Sequence, residues 1–342
     1  MKEISHRIEY IDALKGFAIL LVVMGHTINK FYAEPYYDRM LQDYPMVTMF
    51  WWLVIYSFHM PLFMFISGFL FHRADGYTWQ QGLHALWKRT YTLLLPCVVW
   101  GLIMHYIFHT KWELWFLRSL FTFVLIALIY EVPRRYIVNK WVQVVCDLLF
   151  YTLSGFTIRY AVTFLPLEIQ TLLDFRWSMY LFFCLGILFR RYHGEKLLQH
   201  QWVFTVSLLM YIGLFYCQRM EYHIIPFQPI VCSLSAVLTI WYLFLQTTNG
   251  TTKWGGYLVR IGKYTLEIYI LHMLVSFHLP CIGEAIIQMA QSENIRLLFG
   301  ASTLQLVSSL ILSVITIEIS IVVRNVLSKS RVLSLALLGR KE

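Results

Sequence analysis

Apolar runs of roughly twenty residues, parted by short polar stretches, recur from one end of the chain to the other. A helix needs about 20 apolar residues to cross hydrocarbon, so runs of this length predict membrane spans. They fall near 12–29, 46–72, 91–109, 112–130, 141–157, 177–190, 202–217, 227–246, 256–279 and 302–323. The expected fold is an all-α, polytopic integral membrane bundle of about ten transmembrane helices. Within the second block, Pro61 and Gly68 predict a re-entrant or amphipathic stretch leading into a span. The segment from Arg73 to Arg89 reads as polar. With no internal repeat, low-complexity linker or soluble region, residues 1–342 are expected to form a single domain.

Composition sharpens this picture. The chain is 58% hydrophobic and 14% charged, against about 25% charged in soluble domains, and its mean hydropathy is +0.60. Its 12 Trp, 22 Tyr and 25 Phe suit aromatic belts at the membrane surfaces. The net charge of +9 arises from loops and not from a basic nucleic-acid motif. Of the 28 Lys and Arg, eighteen fall on the side shared by both termini and seven on the other; Lys15, Arg118 and Lys263 lie within spans. That bias predicts cytoplasmic termini and a multi-pass protein of the cell (cytoplasmic/inner) membrane. The first apolar run lacks a small-residue cleavage site and is expected to be retained as the first span. The six Cys have no zinc-type spacing and read as apolar fillers.

Candidate chemistry concentrates in Ile11 to His26, where an otherwise apolar helix carries Asp12, Lys15 and His26. An ionisable group costs about 2.5–3.5 kcal/mol at the centre of a span, which makes it a functional candidate. Asp12 and Lys15 are helical neighbours able to pair. Lys15 and His26 are about three turns apart, roughly 16 Å along the axis and close to one stripe. A histidine suits general acid–base work near neutrality. Lys15, Lys88 and Arg89 form a basic mouth suited to an anionic, phosphate-bearing donor. P-loop, GxSxG and HExxH patterns are absent, and no metal site is expected.

The stretch R-I-E-Y-I-D-A-L-K-G-F-A-I-L-L-V-V-M-G-H resembles the opening signature of the membrane acyltransferase-3 family, a basic residue followed after ten residues by His. Further matches are S-F-H-M-P-L-F-M-F-I-S-G-F-L-F from Ser57 to Phe71, K-R-T-Y-T-L-L-L-P from Lys88 to Pro96, L-W-F-L from Leu114 to Leu117 and G-K-Y-T-L-E-I-Y-I-L-H from Gly262 to His272. The resemblance covers nearly the whole chain and implies about ten spans. It implies transfer of an acyl group, usually acetyl from acetyl-CoA, to a hydroxyl of a surface polysaccharide, lipopolysaccharide, nodulation-type oligosaccharide or other lipid-linked carbohydrate. Some members carry an added esterase-like domain; ending at Glu342, this chain resembles the stand-alone type. On this resemblance His26 is the catalytic base or an acyl relay, and Asp12 is the second catalytic residue, pairing with or orienting Lys15. Lys15 and Arg89, with Lys88, bind the CoA phosphates, and no metal takes part. Many members have Arg where this chain has Lys15, which keeps the charge and loses the bidentate fork.

His59, Trp115 and Arg118 are candidate substrate-binding residues. Each has a structural alternative: His59 could satisfy the carbonyl that Pro61 frees, Trp115 could be an interfacial anchor, and Arg118 could belong to an ion pair. Lys15 could snorkel, and Lys88 and Arg89 could be ordinary cytoplasmic anchors. Glu267 and His272 face different directions on a helix and read as packing groups. The expected partners are acyl-CoA, a carbohydrate acceptor and membrane lipids, with no nucleic acid. A transporter or flippase of a polar or glycan solute is the alternative function, and a sensor in which His26 titrates is a third.

Overall fold

The computed structural model describes residues 9–33, 45–107, 109, 114–247, 253–275, 279–292 and 294–340. The N-terminal Lys2 and Arg7, the polar loop at 34–44, and Lys111 lie outside the described residues. Among the described residues the regular structure is all helical. The main helices are α1 (Glu9–Thr27), α2 (Phe50–Phe71), α3 (Trp79–Arg89), α4 (Leu95–Tyr106), α5 (Trp115–Arg134), α6 (Lys140–Val162), α7 (Trp177–Arg191), α8 (Gln201–Arg219), α9 (Gln228–Thr247), α10 (Lys253–Gly262), α11 (Thr265–Leu271), α12 (Pro280–Gln291), α13 (Ile295–Leu327) and α14 (Arg331–Leu338).

Seven of these, α1, α2, α5, α6, α8, α9 and α13, are long and apolar enough to cross a membrane. They coincide with seven of the ten expected runs. The other three runs are helical but shorter. The run at 91–109 is divided: amphipathic α3 passes through a π turn at Thr90–Leu94 into α4, which has 12 residues. Helix α7 has 15 residues, about 22 Å. The run at 256–279 is interrupted at Lys263–Tyr264 between α10 and α11. The segment Arg73–Arg89 is more ordered than its polarity suggests: Thr78 and Gln81 form a reciprocal capping box at the start of α3.

Helix α2 runs unbroken through Pro61, against the expected break. Proline removes the N–H that would bond the carbonyl four residues back, that of Ser57. Ser233 Oγ on α9 donates to that carbonyl at 2.6 Å, so the freed acceptor is satisfied within the bundle. His59 does not perform this task; its Nδ1 donates to Ile55 O at 2.8 Å.

The contacts divide the chain into two compact units, residues 1–60 with 201–324, and 61–200 with 325–342. In the first, α1 is the central element: 83% of its span is buried. It approaches α10 through paired glycines. A Cβ on Gly16 would lie 2.0 Å from Leu258 O, and one on Gly262 would lie 1.8 Å from Asp12 O. Only small residues permit such backbone contact between membrane helices. The second unit repeats the device, with Gly68 against Phe183 O and Gly186 against Phe65 O. Ser67–Gly68 lies at this crossing. Helix α14 of the second unit is tied down by Trp100 Nε1, which donates to Leu337 O at 3.0 Å. It ends at Gly339, whose φ of +66° closes a left-handed cap.

Candidate functional site

Continuous α1 fixes the spacing of three candidate residues. Lys15 Nζ lies 3.1 Å from Asp12 Oδ1, and the pair is largely buried. His26 lies three turns further on, about 16 Å from Lys15 and about 21 Å from Asp12 along the axis. The helix therefore joins Asp12 to Lys15 and keeps both away from His26. Asp12 cannot act directly at His26; its carboxylate instead holds the Lys15 ammonium at the opposite end of the helix.

His26 sits where α1 passes into the π turn Ile28–Ala33. Its ring meets that of His272 edge-on, with centroids 5.1 Å apart and planes at 81°. These two side chains are 246 positions apart in sequence and line a common recess with Val23, Thr27, Lys30 and Thr316. The walls are held by side-chain bonds. Thr27 Oγ1 donates to Val23 O at 2.8 Å and lies 3.2 Å from Ser313 Oγ. His272 Nδ1 faces the carbonyls of Ile268 and Tyr269 at 3.1 and 2.9 Å. Among the described residues, three buried polar atoms of side chains lining the recess have no bonding partner: His26 Nδ1, His272 Nε2 and Thr316 Oγ1. Lys30 places an exposed cation at the same recess, and His59 is within electrostatic reach of His26. Chemically, the recess offers an imidazole base with a nearby ammonium in a setting where few water molecules fit.

The remaining candidates belong to the second unit. Lys88 is exposed and Arg89 half-buried at the C-terminal end of α3. Arg89 and Arg73 flank Tyr77; burial raises the Tyr77 hydroxyl above its ordinary pKa, and the two guanidinium groups oppose that rise. Trp115 carries the Arg176 guanidinium 4.0 Å from its ring centroid. Asp174 links Arg176, at 3.0 Å, to Arg118, at 3.4 Å. Trp115 and Arg118 thus share one cation–carboxylate–cation cluster, and one face of the indole is already covered by a cation.

Sequence reasoning missed a buried ionic cluster in this unit. Asp147 accepts from Arg134 Nε at 2.7 Å, Tyr130 at 2.6 Å and Tyr192 at 2.6 Å, and Arg191 Nη1 lies 2.9 Å from it. Arg191 also binds Glu131, which accepts from Tyr151. Arg134 and Arg191, each at the C-terminal end of an apolar helix, have the sequence pattern of positive membrane-surface anchors. Their burial has a signal in Asp147, a lone acid in the otherwise apolar run 141–157. Among the described residues, no three His, Cys, Asp or Glu side chains are arranged to hold a metal ion.

Residues 8–322 match the profile of a family described as an acyltransferase domain. A nodulation protein, NolL, of Mesorhizobium japonicum is 30% identical over 229 residues, covering 60% of this chain and 54% of the relative. A second nodulation protein NolL, of Sinorhizobium fredii, is 27% identical over 234 residues, covering 58% and 53%. The chain spans about half the length of these curated relatives. No solved structure matches it.

Proposed function

We propose, from the premise that this chain belongs to the acyltransferase-3 family, that it is a multi-pass membrane O-acyltransferase. In this reading it moves an acetyl or other short acyl group from cytoplasmic acyl-CoA to a hydroxyl of a cell-surface or lipid-linked carbohydrate. The observation that carries the reading is His26: an ionisable side chain near the C-terminal end of α1, the most buried of the seven long apolar helices, lining a recess and, among the described residues, not spent on an ion pair.

The chemistry follows from a neutral imidazole. His26 takes the proton of the acceptor hydroxyl as its oxygen attacks the thioester carbonyl. The tetrahedral intermediate collapses with cleavage of the C–S bond, and the leaving thiolate recovers the proton from His26. The products are an ester and free CoA thiol. Lys30 lies close enough to the recess to favour the developing oxyanion. Lys15 is assigned to the donor's phosphates; Arg89 and Lys88, in the other unit, are separate candidates for the same role. The 16 Å between Lys15 and His26 along the helix suits a donor whose anionic head and acyl end are far apart. Cytoplasmic termini, as the distribution of Lys and Arg favours, place Lys15 toward the donor side. The two relatives' names tie them to nodulation, which fits an oligosaccharide acceptor.

The test compares wild type with His26→Ala for transfer of labelled acetyl from acetyl-CoA to surface glycan in membrane vesicles, at matched protein abundance. The expected result is incorporation by wild type and its loss in the variant. Undiminished transfer by His26→Ala removes His26 as base; no incorporation by either protein, alongside saturable solute flux, replaces this reading with transport.

A further inference from the structure

His272 has an unusual state of hydrogen bonding. Both groups facing its Nδ1 are carbonyls, which only accept. Nδ1 must therefore carry the proton in the neutral ring, and Nε2 is left as a lone pair. That lone pair is buried, has no bonding partner, and belongs to a residue only 4% exposed. His26 Nδ1 and Thr316 Oγ1, also buried and unpartnered, line the same recess. The three side chains that carry an acceptor, a ring nitrogen able to donate and a hydroxyl able to do either thus line one recess, which has room for about one water molecule.

We propose that His272 is a positioning residue for His26, acting through one water held between His26 Nδ1, His272 Nε2 and Thr316 Oγ1. The water donates to His272 Nε2 and accepts from His26 Nδ1–H, with Thr316 as its third partner. This network fixes the His26 proton on Nδ1 and directs the Nε2 lone pair toward the acceptor hydroxyl. As His26 becomes imidazolium, the same bond to Nδ1–H strengthens, and no proton passes to His272. The inference rests on the reading of His26 as the base. Lys30 and His59 are within electrostatic reach of His26, and Tyr269 lies beside His272. Of these groups, only His272 combines an oriented, unpartnered nitrogen with a place in the recess.

Two substitutions separate positioning from packing. Asn at 272 keeps a donor near the Ile268 and Tyr269 carbonyls and removes Nε2. Gln at 272 extends an amide oxygen to about the former position of Nε2. His272→Asn is expected to lower kcat for acyl transfer about 100-fold, a typical contribution of a well-placed base, with KM for acyl-CoA unchanged. His272→Gln is expected to recover at least tenfold of that loss. Independently of activity, 15N NMR of histidine-labelled protein in bilayers, with the His26 signals identified by difference from His26→Asn, should show the Nδ1–H tautomer in wild type and His272→Gln and a mixture in His272→Asn. A wild-type His26 protonated on Nε2 overturns the proposal whatever the variants do. So does a His272→Asn protein with wild-type kcat, or one with reduced kcat and an unchanged His26 tautomer. If wild type transfers no acyl group while its His26 tautomer responds to His272→Asn, the positioning role stands and the acyltransferase reading falls.

Discussion

Gly262 lies directly against the carbonyl oxygen of Asp12, so close that a Cβ on the glycine would be 1.8 Å from that oxygen. The contact sets how near α10 comes to the end of α1 that carries Lys15. Gly16 meets Leu258 O in the same way at 2.0 Å, and both contacted carbonyls belong to helical backbone that cannot yield locally. Gly262→Ala and Gly16→Ala are therefore expected to destabilise the protein by at least the ~1–3 kcal/mol typical of overpacking. Gly256, on the same α10, has nothing within 4 Å of its Cβ position, so Gly256→Ala should leave the melting temperature unchanged or raise it slightly. Thermal unfolding of the three variants in one detergent provides the comparison; equal melting temperatures would contradict the packing assignment.

The Lys15–Asp12 pair leads to a kinetic prediction. Lys15 is remote from His26 and is assigned to donor binding, so its loss should weaken ground-state and transition-state binding alike. Lys15→Met is expected to raise KM for acyl-CoA about tenfold, the loss of roughly 1.4 kcal/mol, with kcat within a factor of about two. Lys15→Arg should retain donor binding, because the charge persists. A Lys15→Met enzyme with normal KM and reduced kcat would place the lysine in the chemical step instead.

Asp147 is fully buried at the centre of its cluster, and its partners Arg134 and Arg191 are nearly so. Removing one member of such a set leaves an uncompensated charge, at a typical cost of about 3–5 kcal/mol. Asp147→Asn should therefore be among the most destabilising single changes in this unit. The double replacement Arg134→Met with Asp147→Leu should cost less than the two single changes combined, since it removes both a charge and its partner. Chemical denaturation of the four proteins tests this coupling. Additive losses would mean that Arg134 and Asp147 do not depend on each other.

Long apolar runs made seven helices of membrane-spanning length and composition readable, and the rise of one helix gave the Lys15–His26 separation. What sequence could not supply was the pairing of distant elements. His272 reads as a packing residue because its nearest local candidate partner, Glu267, points elsewhere; its contact with His26 depends on how α1 and α11 fold together. Pro61 reads as a break because the serine that satisfies the Ser57 carbonyl is Ser233, on another helix. Arg134 and Arg191 obey the positive-inside pattern in composition, and only the packing shows that their charges are turned inward onto Asp147 and Glu131. In each case a local rule gives the cost of a polar or breaking residue, and a remote partner determines whether that cost is met.

His72, just past the end of α2, lies among cations. Burial lowers its pKa from the usual 6.5 to about 4, and Arg191, Arg190 and Arg134 add to the shift, while Asp147 opposes it. Its Nδ1 is buried without a bonding partner. The folded protein therefore keeps this ring neutral over a pH range in which the unfolded chain protonates it. Across that range the unfolded state binds more protons, so stability rises with pH. The contribution of His72 is fully present above about pH 6.5 and is lost as the pH falls toward 4. His72→Gln removes the titrating group while retaining a polar side chain. Its melting temperature should consequently fall less between pH 7 and pH 4.5 than that of wild type, with the curves converging or crossing at the acidic end. Parallel curves across this range would mean that His72 titrates alike in the folded and unfolded chains, and that the arginines around it do not act on its charge.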